Sequence, residues 1–379
     1  MVTTERFGEA LKRRGFDFYS GVPCSFLRDL INYAINERRF VMAANEGDAA
    51  AVCAGAYLGG RRPVLLTQNS GLVNAASPLT SLQAIFHIPL LGFVSLRGAP
   101  GLADEPQHEL MGRITAPLLE TMEIAHETLA DNDEEAEAQL DRAEEVFARG
   151  RCFFFIVRRG TFSPAALREQ SLPDRRNGSP EPDRLFSRGD MLRALKAAAP
   201  VDSVFLATTG FTGRELYELG DGPENFYMVG SLGCVSSLGL GLSMALDPAA
   251  SAARPRWRII ALDGDGSLLM RTGSLAVNAW YGADMLHILF DNRAHESTGG
   301  QFTVSSGVDW PGAARALGYS LAVRAETPGA LAEEAQAWDQ SGGPRFVHVP
   351  IAMGAPENLG RPKVRPGEIT ARFRKHLGV

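Results

Sequence analysis

The 379-residue chain has only four cysteines, Cys24, Cys53, Cys152 and Cys234, and no two are close enough to form a CxxC-type metal or redox pair. Scattered single cysteines suit a reducing compartment and exclude a disulfide framework. Long apolar runs are also missing. Stretches such as Pro89–Leu96 are far too short to span a bilayer. The N-terminal segment carries Glu5, Arg6, Glu9, Lys12, Arg13 and Arg14 and lacks the apolar core of a signal peptide, so a cytoplasmic chain without membrane contact is expected. Positive charge is not in excess: 38 Lys and Arg stand against 44 Asp and Glu, a net charge of −6. That balance gives no basic domain or stripe for a nucleic-acid partner. No GxGxxG opens an early strand–helix unit, which argues against a dinucleotide-binding protein. No internal repeat stands out.

What is present is an α/β alternation. Hydrophobic residues make up 45% and charged residues 22%, enough for a real core, and the length favours two domains. Short apolar runs at Pro63–Thr67, Leu90–Ser95, Cys152–Val157, Ser203–Ala207, Ile259–Leu262, Leu286–Phe290 and Phe346–Pro350 read as strands. Longer stretches at Thr4–Arg14, Phe26–Glu37, Glu46–Leu58, Asp133–Ala148, Arg188–Ala198, Ser236–Ala245, Gly273–Trp280 and Pro328–Ala337 read as helices. Such alternation predicts mostly parallel sheets flanked by helices. Ser163–Asp190 is rich in Pro, Ser and charge and has no apolar period, so it reads as a linker. The expected organisation is a domain over 1–165, a linker over 166–187 and a domain over 188–379.

The sharpest constellation runs from Ala261 to Gly300. A strand ends in Gly264-Asp265-Gly266, one crossover helix is expected next, and a second strand ends in Asp291-Asn292. Glycines at a strand end let the backbone approach a phosphate. A hard cation such as Mg²⁺ takes oxygen ligands, usually a carboxylate or two together with phosphate oxygens. Asp265 offers a carboxylate and Asn292 an amide oxygen, both at strand ends, where open α/β sheets bind ligands. A lone GDG would more simply be a turn; the strand, helix, strand and asparagine together favour a site. In the first half, Glu46 opens a helix whose Ala49, Ala50, Cys53, Ala54 and Tyr57 form one face. In isolation it reads equally as a helix-start glutamate favoured by the macrodipole.

These segments resemble the thiamine-diphosphate enzymes: GDG, about two dozen residues, then an Asn pair, here Asp291-Asn292. NEGDAAAVCAGAY resembles the family's conserved-glutamate segment, and Gly230-Ser231-Leu232-Gly233 its GS(M/I)G segment. The resemblance implies two thiamine-diphosphate-binding-type domains, pyrimidine-binding first and diphosphate-binding second. It implies thiamine diphosphate and Mg²⁺ as cofactors. The metal ligands would be Asp265, Asn292 and the carbonyl of Ala294. Glu46 would activate the pyrimidine, Leu232 would prop the cofactor in its bent form, and Thr209, Gly210, Ser231, Gly264, Gly266 and Ser267 would line it. It also implies a homodimer or larger assembly with the active site between subunits.

With no middle domain and the pyrimidine domain first, the chain resembles the phosphonopyruvate and sulfopyruvate decarboxylases. Gly21–Leu27, Gln68–Asn74, Arg97–Gly101 with Asp104–His108, and His295–Gln301 look closer to the phosphonopyruvate group. That implies non-oxidative decarboxylation of 3-phosphonopyruvate to phosphonoacetaldehyde and CO₂ through the cofactor's ylid. A sulfopyruvate decarboxylase, a carboligase or lyase on another small anionic 2-oxo acid, and a non-catalytic cofactor-binding scaffold are the alternatives. A dianionic substrate needs cationic or polar partners. Arg97, in a Gly/Pro-rich loop, and Ser25 and His108 are the candidates, while Arg97 reads also as a surface arginine and Ser25 as a helix cap. His108 and His295 are candidate proton carriers, each with an alternative as a structural histidine.

Overall fold

A computed structural model describes residues 1–168, 182–246, 257–337 and 343–379. The chain divides into two units, residues 1–173 with 297–301, and residues 174–296 with 302–379. Most of the expected linker, residues 169–181, lies outside the described residues.

The first unit is built on strands β1 Phe16–Gly21, β2 Phe40–Met42, β3 Arg62–Gln68, β4 Leu91–Ser95, β5 Ala125–Thr128 and β6 Phe153–Val157. They form one sheet in the order β2-β1-β3-β4-β6-β5, with every pairing parallel. Every residue of β4 and β6 is buried, as a parallel sheet covered on both faces requires. Aromatics fill one side, where the Phe7, Phe93 and Phe155 rings pack in sequence with centroids 5.9 and 5.2 Å apart. The opposite side takes the small-residue helix Glu46–Leu58, whose Ala49, Ala50, Cys53 and Ala54 are all buried, the face that its spacing predicted.

The second unit carries β7 Ser203–Ala207, β8 Asn225–Tyr227, β9 Arg258–Gly264, β10 Met285–Asp291, β11 Leu321–Arg324 and β12 Arg345–Pro350. Its sheet is again all parallel, in the order β11-β12-β10-β9-β7-β8. Read from the other edge, this is the first sheet's order with each label raised by six. One topology is used twice, although no repeat is visible in the residues. In each sheet the second strand lies on one side of the first and the third on the other. That reversal opens a crevice at the carboxyl ends of β1 and β3 in one unit and of β7 and β9 in the other.

The structure departs from expectation at the crossover after β9. The chain makes two short helices, Asp265–Met270 and Ser274–Trp280, rather than one. Arg271, with φ −139° and ψ 42°, breaks the first helix, and Thr272 Oγ1 turns back onto the Leu268 carbonyl at 3.0 Å.

Candidate functional site

In the first unit, β2 leads into Asn45, whose side-chain oxygen accepts from the Gly47 and Asp48 N–H groups at 2.8 and 3.0 Å. This cap starts the helix on Glu46, so the glutamate's position is set by its neighbour rather than by its own charge. Glu46 is only 5% exposed. Its Oε2 accepts from Asn74 Nδ2 at 2.8 Å. Gly71 lies against the same carboxylate: a Cβ there would meet Glu46 Oε1 at 2.2 Å. Gly71 and Asn74 share the helix Asn69–Pro78 that follows β3, so this helix cradles the acid.

Other candidates gather at the ends of β1 and β4. Arg97 Nη1 donates to Ser25 Oγ at 3.3 Å, and its guanidinium lies over the Phe26 ring at 4.9 Å. Arg97 also makes a two-pronged pair with Asp104 through Nε, at 2.8 Å, and Nη2. Burial opposes the charge on Asp104, yet Arg97 and the N–H groups of Glu105 and Gly98 outweigh it and hold the carboxyl well below its ordinary range. The pair consumes part of Arg97's charge, but a planar guanidinium keeps further N–H donors. Asn69 Nδ2 holds the loop by donating to the Arg97 carbonyl at 2.8 Å. Gly98, at φ +71°, lets this loop fold onto the turn that carries the buried His108: a Cβ there would meet the His108 carbonyl oxygen at 2.0 Å. The structure therefore brings Ser25, Arg97 and His108 into one neighbourhood.

In the second unit, Thr208 and Gly264 end or follow adjacent strands. Thr208 Oγ1 and Ser267 Oγ lie 3.1 Å apart, and Ser267 Oγ accepts from the Gly233 N–H at 3.0 Å. These bonds tie the Gly230–Gly233 segment, which presents the half-buried Leu232, to the GDG turn. Thr209 Oγ1 donates to the Val229 carbonyl at 3.1 Å. Gly210 takes φ 101° at the start of the helix Phe211–Glu218. Ser231 and Arg293 are non-glycine residues at φ 55° and 60°. Both lie in segments marked as cofactor-binding in sequence, and strained backbone of this kind clusters at functional sites.

Asp265, Asp291 and Asn292 are buried together, at 4%, 4% and 6% exposure. Asp265 Oδ2 accepts from Thr303 Oγ1 at 2.5 Å. Burial, and next the charge of Asp291, push the Asp265 carboxyl well above its ordinary range. Asp291 has partners of its own: Ser305 Oγ at 2.7 Å, His348 Nε2 at 3.0 Å and the Arg293 N–H at 3.0 Å. Asn292 Oδ1 accepts from the Ala294 N–H at 3.1 Å. Two buried carboxylates side by side, with oxygen donors around them, are electrostatically matched to a hard divalent cation. The residues fit Mg²⁺.

His295 packs against the GDG turn, where a Cβ on Gly266 would meet its Cε1 at 2.8 Å. His295 is half-buried, and the protein packed around its ring disfavours the charged form and pushes its pKa down to about 4. Behind the site, one face of the sheet carries two carboxylate–imidazole pairs, Asp263–His287 at 3.1 Å and Asp291–His348 at 3.0 Å. Asp263, Leu289 and His348 share one register row across β9, β10 and β12. Gly71, Asn74 and Glu296 lie in segments that carry the family resemblance but are assigned no role there, while this polar layer and Thr303, Arg188 and Glu215 are not among the expected site residues. The alternation of His287, Leu289 and Asp291 within an apolar strand was a signal for the layer; no local pattern marks Thr303, Arg188 or Glu215.

Residues 212–349 match the family model for the thiamine pyrophosphate enzyme C-terminal TPP binding domain. The second unit thus carries the cofactor domain of a thiamine-diphosphate enzyme, and its GDG turn and Asn292 lie inside the matched span. Over its full length the chain is 38% identical to a phosphonopyruvate decarboxylase of Streptomyces hygroscopicus, covering 99% of this chain and 94% of that one. A phosphonopyruvate decarboxylase of Streptomyces viridochromogenes is 39% identical over 95% of this chain and 91% of its own. A sulfopyruvate decarboxylase of Methanosarcina acetivorans is 27% identical over 99% of this chain and 97% of its own. The chain belongs to the phosphonopyruvate decarboxylase family of thiamine-diphosphate-dependent carboxy-lyases. Among the described residues no helix is long and apolar enough to cross a membrane.

Proposed function

We propose that this chain decarboxylates 3-phosphonopyruvate to phosphonoacetaldehyde and CO₂, with thiamine diphosphate and Mg²⁺ bound. The observation that carries the reading is the pairing of a buried, cradled acid in one unit with a buried oxygen-ligand set in the other, in a chain 38–39% identical to two phosphonopyruvate decarboxylases. Asp265, Asn292 and the Ala294 carbonyl would hold Mg²⁺, with diphosphate oxygens completing its shell. Thr209, Gly210 and the Gly264–Ser267 turn would line the diphosphate, and Ser231 and Leu232 would support the ring system. The bound cofactor would supply the nucleophilic carbon and the electron sink that stabilises the pair left behind on C2 when CO₂ departs.

The chain's own residues do the rest. With Glu46 Oε2 committed to Asn74, Oε1 would be the atom left to hold a proton toward the pyrimidine ring of the bound cofactor. The nearly apolar helix around Glu46 keeps water from competing for that proton. Ser25 and Arg97 would orient the substrate's anionic groups; Arg97, pre-set by Asp104, presents a planar fork suited to phosphonate. The C1–C2 bond of the substrate breaks, CO₂ leaves, and a proton delivered to C2 gives the aldehyde; His108 is the favoured donor, because burial keeps His295 neutral at neutral pH, where it could relay a proton but not supply one.

The active site would form between copies of the chain. Glu46 and Asp265 belong to different units, and large apolar side chains stand bare on each. Ile85 and Phe86 are 68% and 65% exposed in the first unit; Val277, Trp280 and Tyr281 are 48%, 86% and 59% exposed in the second. Such faces are what a self-complementary interface covers. A cytoplasmic enzyme is the corresponding expectation.

Steady-state turnover of phosphonopyruvate and sulfopyruvate by the same preparation, with the aldehyde product trapped and identified, tests the substrate. A higher kcat/KM for phosphonopyruvate supports the reading. Preference for sulfopyruvate, or consumption only when an acceptor aldehyde is added, would replace it with the sulfopyruvate or carboligase alternative.

A further inference from the structure

The two ends of the Asn292 side chain differ chemically. Only the oxygen can ligate a cation, so the amide must be held one way round. In this structure Glu296 decides the direction. Its Oε2 lies 2.9 Å from Asn292 Nδ2. A carboxylate only accepts, so it admits the NH₂ end and repels the oxygen. The Ala294 N–H, 3.1 Å from Oδ1, favours the same orientation from the other side.

Glu296 is itself held in place. Its Oε2 also accepts from Arg188 Nη2 at 3.0 Å, and its Oε1 accepts from the Gly354 N–H. Gly354 sits at φ +121°, a backbone setting that other residues rarely adopt. Arg188 reaches back to Glu215 Oε1 at 2.5 Å. The side chains of Arg188, Glu215 and Glu296 are 6%, 6% and 12% exposed. Burying three charges costs desolvation that apolar packing would avoid. What the arrangement delivers at its inner end is a single orientation of one carboxamide.

We infer that Glu296 is a positioning residue for the divalent cation, acting through Asn292 and clamped by Arg188. The inference rests on the reading of Asn292 as a metal ligand. It assigns Glu296 no contact with substrate or cofactor. Glu296→Gln has no satisfactory solution in this pocket. If its oxygen serves Asn292 and Arg188, its NH₂ faces the Gly354 N–H; if reversed, its NH₂ faces the donors of Asn292 and Arg188.

The test is Mn²⁺ binding to the full chain with thiamine diphosphate, read from the loss of the free-ion EPR signal, beside melting of the cofactor-free protein. Glu296→Gln should weaken Mn²⁺ binding by about 10–100-fold, the usual cost of losing a partner that orients a ligand. Turnover at saturating metal should stay within a few-fold of wild type. Glu296→Asp, which keeps a charge for Arg188 but shortens the reach to Asn292, should move affinity in the same direction. Unchanged Mn²⁺ affinity in Glu296→Gln would overturn the inference, as would a loss of affinity matched by loss of the fold in the cofactor-free melt. A wild-type protein that binds no Mn²⁺ would instead overturn the metal reading beneath it.

Discussion

The two units use the same strand order for opposite electrostatic ends. In the first, the site is one acid set in small, apolar surroundings: Glu46 at the head of an alanine-rich helix, backed by Gly71 and held by a single neutral amide from Asn74. In the second, the matching region is crowded with ionisable side chains. Asp265, Asp291, His348, Asp263 and His287 lie in or beside the sheet, and Arg188 lies between Glu215 and Glu296. The first unit suits a proton held and passed without interference. The second suits a bound divalent cation. A doubly wound sheet dictates where a ligand can sit but not its charge; the residues after β2 in one unit and after β9 and β10 in the other make that choice.

Several substitutions should break this contrast. Glu46→Gln removes the acid but keeps the shape and the Asn74 contact. Turnover should fall by about 10²–10⁴-fold, the range for loss of an acid–base group, while Mn²⁺ and cofactor affinity stay within a few-fold. Asp265→Asn should do the reverse: metal-dependent cofactor binding fails in titration calorimetry, and turnover fails with it. Mixing the two inactive variants sharpens the point. If the site forms between copies, each mixed dimer regains one intact site and activity returns; if each chain completes its own site, none returns.

Smaller effects fall on the supports. His348→Leu leaves Asp291 with its serine and backbone partners alone. It should destabilise the protein by about 2 kcal/mol in denaturant melts, as expected for a lost hydrogen bond to a charged group, and weaken metal binding. Asp104→Asn should cost about 1.5 kcal/mol at neutral pH. The carboxyl of Asp104 is held below its unfolded value of about 3.9. Its contribution is therefore fully present above that pH and is lost as pH falls through the lower folded value. Wild-type and variant stabilities should run parallel above pH ~5 and converge in acid.

Much of the fold could be read in the sequence because parallel strands buried on both faces are continuous apolar runs, as at β4, β6, β7 and β12. The strands not anticipated are mixed or short. β1 includes Asp17 and Ser20, while β2, β5, β8 and β11 span only three or four residues each. The helices Asn69–Pro78 and Glu109–Thr121 were hidden by Gly71, Pro78 and Pro117, residues that lower helix propensity but are tolerated where tertiary packing supports the helix. At the site, Glu46, Asp265 and Asn292 were legible because each ends or follows a strand within a short motif. Glu296 lies within a resembling segment that gives it no role of its own, and its partner Arg188 lies 108 positions away. No spacing rule joins them, and only the folded chain brings the pair to Asn292.

The most direct measurement is CO₂ release from phosphonopyruvate by the purified chain, with thiamine diphosphate and Mg²⁺ supplied together, singly and not at all. Release that requires both, and vanishes in Glu46→Gln while that variant still binds both, is the predicted result. Release without them, or none from wild-type protein that binds both, would contradict the assignment.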